Sequence, residues 1–472
     1  MSDVTSFING LSVDSDESYN NIDPSTGAII GTVAKADAEL VDLAVRTART
    51  AFDGGWRESS PEVRSTLLCR LADLIDANRE ELAVMESEDT GKPLTQARTD
   101  ATVCARYFRF YGHTIEAFYG ITIPLTPDFH VYTRREPHGV AGAIIAWNYP
   151  MQLLGRAVAP ALATGNCSVL KPADETPRSA VRIAELAIEA GFAPGVFNVI
   201  TGLGPETGQL LSEHPGIDHL GFVGSTEVGK RIAAQAAERV IPVVLELGGK
   251  SPHIVFADAD LEQAALFITK GILQNAGQTC SAGSRLIVHK DVKDELLELL
   301  VAKFEAVTIG AGGDDKDLGP LVSVKQQNRV RTFVDEAEGT ILTGGTVPAG
   351  FEAGAFYSPT LIADVDPASK IAQQEVFGPV LVAMEFETEA EAVAMANSTD
   401  YALMAAIWTR DVSRVHRLAA KVEAGQVYVN AYGAGGGVEL PFGGFKKSGY
   451  GREKGYEALA GYTQTKTVAI KL

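Results

Sequence analysis

The chain has 472 residues, 46% of them apolar, and 41 basic against 60 acidic side chains give a formal net charge of −19. So much apolar chain builds a large core, about three domains' worth by length, and so acidic a surface repels nucleic acid and anionic membrane. No apolar stretch approaches the roughly 20 residues of a membrane span; the longest, Val140 to Trp147, is short and interrupted by Gly142.

The start, MSDVTSFINGLSVDSDES, lacks the basic opening and apolar middle of a secretory signal, so the expected location is the cytoplasm. Asp37 is placed to cap a helix whose apolar positions Leu40, Leu43, Ala44, Ala48 and Ala51 follow a 3.6-residue period, with Gly54 and Gly55 ending it. FYGITIPLTPDFHVYTRREP, Phe118 to Pro137, reads as extended chain without neighbouring helices. Then come apolar runs of strand length, GAIIAW, CSVL, GVFNVI, HLGFV, PVVLEL and HIVFA, separated by amphipathic helices such as SAVRIAELAIEAG. This alternation predicts an α/β fold, with a parallel, doubly wound sheet covered on both faces. RLIVH, PVLVAMEF, AAIWT and QVYVN follow Cys280 and predict a second α/β domain. The tail YTQTKTVAIKL is again extended. Both extended segments read as edge strands or contacts between subunits.

Three turns after strands invite an anion. GLGPETG (Gly202, Gly204, Gly208) approaches the dinucleotide pattern G-x-G-x-x-G, but its last glycine is one residue late; a plain tight turn fits equally well. GSTEVGKR, Gly224 to Arg231, nearly matches a P-loop, yet Arg231 stands where the magnesium-binding Ser or Thr belongs, which argues against nucleotide hydrolysis. A helix N-terminus there still offers free N–H groups to an anion. KPADETP puts Lys171 and Asp174 beyond a strand's carboxyl end, where they could hold a ribose or simply form a capped surface turn.

Cys280 sits in NAGQTCSAGSR among small residues that leave room for a substrate. A thiol with a pKa of roughly 8.5 needs activation to attack at neutral pH. Cys69, Cys104 and Cys167 show no spacing that would pair them, so no disulfide framework is expected, and no Cys/His cluster has metal-ligand spacing. Glu246 ends the run PVVLEL before two glycines; burial would raise its pKa and make it a base, or Lys250 could pair with it. Asn148 in AWNYP could donate to an oxyanion or merely form the turn before Tyr149-Pro150.

Together these segments resemble the aldehyde dehydrogenases. AWNYP, PALATGNCSVLKPADETP, GFVGSTEVGK, LELGGKSP, NAGQTCSAGSR, EVFGPV and LPFGGFKKSGYGRE occur in that family's order, from EDTGKP at Glu88 to the C-terminus. The resemblance implies a Rossmann-like cofactor-binding domain (1–117 and 138–247), a catalytic domain (248–446) and a small β bridging or oligomerisation segment (118–137 and 447–472). It implies Cys280 as nucleophile, Asn148 and the Cys280 N–H as oxyanion donors, and Glu246 as the base for thioester hydrolysis. NAD would lie on Ala146, Trp147, Lys171, Asp174, Gly204, Gly224, Ser225, Leu247, Glu375 and Phe377. Asp174 stands where NAD-preferring members often carry Glu, so NAD is favoured and NADP stays open. Homodimers or homotetramers are implied, with a small-molecule aldehyde as substrate and no metal, membrane or nucleic acid. Ala157 occupies the position of a family lysine that relays protons with a glutamate matching Glu453. The substrate tunnel would be lined by Tyr149, Arg156, Gln274, Thr279 and Ser281, with a glycine run (Gly433, Gly435 to Gly437) at its mouth. This more polar tunnel suggests a bulky, aromatic or carboxylated aldehyde, with Arg156 pairing a substrate carboxylate, facing solvent or pairing with Glu439. A CoA-acylating enzyme and a non-catalytic homologue are the alternatives; retention of Glu246, Cys280 and Asn148 weighs against both.

Overall fold

The computed structural model describes residues 3–433 and 437–472. Two separate apolar clusters organise it, each built on one sheet. The first sheet runs Leu11–Val13, Ser6–Ile8, Phe197–Val199, Cys167–Lys171, Val140–Ile144, His219–Val223, Val243–Glu246 and Gly449–Tyr450. Its central five strands are parallel, in the order 3-2-1-4-5 when numbered along the chain. Four of these, Val140–Ile144, Cys167–Lys171, Phe197–Val199 and His219–Val223, are buried at every position. That is why they read as continuous apolar runs: helices cover both faces. Strand order reverses between Val140–Ile144 and His219–Val223, and a crevice opens there beyond the carboxyl ends.

The second sheet runs Thr340–Thr343, Thr360–Ala363, Val380–Phe386, Arg285–His289, Pro252–Val255, Met404–Trp408 and Gln426–Val429, parallel except for its first pair. The chain passes from the carboxyl end of Val243–Glu246 straight to the amino end of Pro252–Val255. The carboxyl ends of one sheet therefore meet the amino ends of the other, and the site lies between them.

The expected first helix spans Ala38–Asp53, with the Asp37 carboxylate accepting from the Leu40 N–H. Its fully buried stripe is Val41, Ala44, Val45, Ala48 and Phe52, so the packed face is rotated from the one the sequence suggests. The extended segments form a third, antiparallel sheet of Thr122–Ile123, Phe129–Pro137 and Thr463–Lys471. Gly449–Tyr450 corrects the expected boundary: assigned to the bridging segment, it is the edge strand of the first sheet, paired with Leu245 and Glu246. Two residues are too few to show a strand period. The close approach is visible only in space, where a Cβ on Gly449 would lie 1.9 Å from the Leu245 carbonyl oxygen at a φ of +115°. No helix among the described residues is long and apolar enough to cross a membrane.

Candidate active site

The loop after Val140–Ile144 carries Ala146, Trp147, Asn148 and Tyr149, and the helix Pro150–Ala163 follows with proline in its first turn. What fixes this loop is a buried ammonium. Lys92 Nζ lies 2.7 Å from Glu86 Oε1, pairs with Asp100, and donates to the Asn148 carbonyl at 3.0 Å. Glu86 Oε2 accepts the Met151 N–H at 3.1 Å, and Asp100 accepts from Gln152 at 2.6 Å. Burial alone would lower the Lys92 pKa, but Asp100 and Glu86 outweigh it and raise it, keeping the charge.

Cys280 lies in a turn between the helix Leu261–Leu273 and the strand Arg285–His289. Just before it, Asn275, Ala276 and Gly277 are all left-handed, at φ 50°, 53° and 72°. Side chains hold this unfavourable path. Asn275 Nδ2 donates to the Asn148 carbonyl at 2.8 Å, Gln278 Nε2 returns to the Asn275 carbonyl at 3.0 Å, and Val322 N–H donates to Gln278 Oε1 at 2.9 Å. Asn148 Nδ2 donates to the Gln278 carbonyl at 2.9 Å, which leaves its second amide hydrogen without an acceptor among the described residues. The two loops are thereby locked to each other. Gly249 passes so near that a Cβ on it would lie 2.2 Å from the Cys280 carbonyl oxygen. The half-buried Cys280 side chain packs beside Leu403, Met404 and Phe442. Burial pushes its thiol up to about 12, with Arg156 pulling the other way.

Glu246, 1% exposed, faces the same cavity, and neither carboxyl oxygen has a hydrogen-bond partner among the described residues. It does not pair with Lys250, whose buried ammonium is also unpartnered there. Burial first, and then the neighbouring Glu453, raise the Glu246 pKa well above the usual carboxylate range. Arg156 opposes this. Its guanidinium lies 2.6 Å from Glu453 Oε2, close but poorly aligned for a hydrogen bond, and 4.5 Å from the centre of the Phe442 ring. Two of the three expectations for Arg156 are thus corrected: it is buried rather than facing solvent, and Glu439 is taken by Arg106. Arg156 lines the cavity and is paired with Glu453. Ala157 is buried and small, and the cation beside Glu453 comes from the preceding residue instead. Neighbouring helix positions differ by about 100°, which the long arginine side chain spans.

On the other side of the cavity, Gly224 and Ser225 precede the helix Thr226–Arg239, whose N-terminus Ser225 caps. Glu375 Oε1 accepts the Gly249 N–H at 2.9 Å, and burial pushes this carboxyl up to about 7. Trp147 and Phe377 meet edge to face at 5.3 Å, with Phe377 at a left-handed φ of 63°. Lys171 pairs with Asp174, whose carboxylate also accepts the Gly204 N–H at 2.9 Å.

One cavity of about 650 Å³ joins these parts. It is lined by Ala146, Trp147, Asn148, Tyr149, Arg156, Gly224, Ser225, Glu246, Leu247, Gln274, Thr279, Cys280, Ser281, Glu375 and Phe377, all singled out from sequence. Lys171, Asp174 and Gly204 form their own cluster and do not line it, and Glu453 stands behind Arg156. Gly433 and Gly437 line its mouth, while Gly435 and Gly436 lie outside the described residues. Sequence reasoning missed Lys454, Gln152, Gln426, Tyr428, Tyr432 and Phe442, which also line it. It also missed Lys92, although EDTGKP was in view. Replacing Lys92 by Met should cost about 3–5 kcal/mol in denaturant unfolding, because Glu86 and Asp100 would stay buried without a cation; an unchanged unfolding midpoint would show that the cage does not hold the loop.

Comparison with known proteins shows the family. The Aldehyde dehydrogenase family model matches residues 12–468. The NADP/NAD-dependent aldehyde dehydrogenase PuuC of Escherichia coli is 42% identical, over 99% of this chain and 95% of that protein. Human mitochondrial aldehyde dehydrogenase is 41% identical, over 97% of this chain and 89% of that one. The NAD+ complex of aldehyde dehydrogenase from Bacillus cereus superposes with a TM-score of 0.98 at 41% identity, over 100% of this chain and 97% of the other. The chain belongs to the aldehyde dehydrogenase family and is an enzyme of that family.

Proposed function

We propose that this enzyme oxidises an aldehyde to a carboxylic acid with NAD, through an acyl group carried on Cys280. The observation that carries the reading is the convergence of Cys280, the Asn148 amide and the unpartnered Glu246 carboxyl on one cavity. The remaining walls fit a dinucleotide. The Thr226–Arg239 N-terminus would offer N–H groups to the pyrophosphate, Glu375 would take one ribose and Trp147 and Phe377 the nicotinamide, while Lys171, outside the cavity lining, would supply an ammonium for the other ribose. The Asp174 carboxylate, already bound to Lys171 and Gly204, disfavours an added 2′-phosphate. When bound, the dinucleotide supplies the hydride acceptor.

The chain's own groups do the rest. Cys280 Sγ adds to the carbonyl carbon as Glu246 takes the thiol proton, which burial keeps on the sulfur at rest, and Glu246 passes that proton to solvent before the hydrolysis step. The second Asn148 amide hydrogen and the Cys280 N–H, neither with an acceptor among the described residues, hold the oxyanion. After oxidation the carbon remains on Cys280 as a thioester. Glu246 takes a proton from water as the water oxygen bonds to the acyl carbon, and the C–S bond breaks to return Cys280. Glu453, paired with Arg156, is the next carboxylate outward for that proton. We read the substrate as a bulky, aromatic or carboxylated aldehyde, and the half-exposed sheet of Phe129–Pro137 and Thr463–Lys471 as the contact between copies.

Reduced-nicotinamide formation over aliphatic, aromatic and carboxylated aldehydes, with NAD and NADP and with or without CoA, tests the reading. Turnover should be CoA-independent and vanish in Cys280→Ser; turnover only with CoA would make the enzyme acylating. A base works deprotonated, and the Glu246 pKa is raised, so activity should fall with decreasing pH from above the usual carboxylate range. Glu246→Gln should remove that limb and cost about 10²–10⁴-fold in hydrolysis; an unchanged acid limb in the variant would exclude Glu246 as the base. Sedimentation should give a dimer or tetramer, and a monomer at micromolar concentration would sink the contact assigned to the small sheet.

A further inference from the structure

Lys454 lines the cavity that holds Cys280 and Glu246, and no role in the oxidation itself has yet been given to it. Its ammonium lies 4.9 Å from the centre of the Phe442 ring and has no hydrogen bond or ion pair among the described residues. Its backbone is left-handed, at φ 59°, a conformation in which a side chain is seldom retained without cause.

The charges around it decide what it can take. Arg156 shares the Phe442 ring at 4.5 Å but is neutralised by Glu453. Asp100, which also lines the cavity, is paired with Lys92. Glu246 is held towards its protonated form by burial. Among the described residues, Lys454 is therefore the cation beside Cys280 and Glu246 left without a counter-ion, Arg329 lying instead beside Glu375 with its guanidinium on the Glu375 carbonyl. Burial, and then Arg156, pull its ammonium down to about 7. An anion beside it would restore the charge. The wall also carries Gln152, Gln274, Gln426 and Tyr428, polar groups suited to a polar chain rather than a plain alkyl one.

We propose that Lys454 is a specificity-determining residue that pairs with a carboxylate on the far end of the substrate, so that this enzyme's aldehydes are semialdehydes. The role expected of Arg156 passes to a residue beyond Glu453 in the chain. The inference rests on the aldehyde-oxidising reading, and its test separates the two.

Succinic semialdehyde and 4-carboxybenzaldehyde would each be compared with their methyl esters in the wild type, Lys454→Met and Lys454→Arg. A charge-assisted pair implies a wild-type preference in kcat/KM for acid over ester of about 10-fold or more. Lys454→Met should abolish the preference, mainly through KM, and Lys454→Arg should keep most of it. Equal use of acid and ester by the wild type would overturn the proposal without any variant. So would a preference that survives in Lys454→Met, or an equal loss on both substrates. A second readout needs no turnover. Succinate, and not acetamide, should slow iodoacetamide alkylation of Cys280 in the wild type but not in Lys454→Met; equal slowing in both would overturn the pairing. If the wild type reduced no nicotinamide with any aldehyde, the aldehyde-oxidising reading would fail, while the alkylation result would still decide whether Lys454 binds a carboxylate.

Discussion

The site depends on one buried cation. Lys92 has been taken wholly out of water, which is tolerable only because Glu86, Asp100 and the Asn148 carbonyl surround its ammonium. Those partners come from the helix Arg79–Thr90, the helix Leu94–Ile115 and the loop after Val140–Ile144. The same Asn148 carbonyl accepts from Asn275, and the Asn148 amide bonds to the Gln278 carbonyl. The Cys280 loop, which leads into the second sheet, is therefore positioned by charges on helices that pack with the first. Such a cage sets geometry more than it adds stability, since a well-packed apolar substitute would hold the helices equally well but would not bond to Asn148.

Low dielectric governs the chemistry as well. Burial raises the Cys280 thiol and the Glu246 carboxyl and lowers the Lys454 ammonium, so each is driven towards its neutral form. Arg156 and Glu453 pair with each other, and the Arg156 guanidinium opposes the rise that burial and Glu453 impose on Glu246. The cavity is thus poised for proton movement rather than for resting ion pairs. An arriving substrate with its own charge changes that balance.

Legibility in the sequence followed how local each signal was. Cys280, Glu246 and Asn148 could be singled out because each breaks a local pattern: a cysteine among small residues, a carboxylate ending an apolar run, an amide at a strand's end. Parallel strands buried on both faces announce themselves as apolar runs. Lys92 and Lys454 could not be read in this way. A lysine in a polar turn looks solvated until distant chain closes over it, and Lys454 follows a glutamate that already had an explanation. Arg156 misled for a geometric reason, because a long side chain can serve a position assigned to its neighbour. Gly449–Tyr450 was too short to carry any periodicity.

The sequence by itself determined the α/β class, the family and many of the polar residues that line the cavity. These rest on local spacing and on motifs that keep their order along the chain. Only the tertiary structure decided which charges are paired. Glu453 takes Arg156, Glu439 takes Arg106, and Lys454 is left facing the cavity. The physical reason is that ion pairing depends on distance and dielectric, and both are set by segments hundreds of residues apart that meet only when the two sheets close on each other.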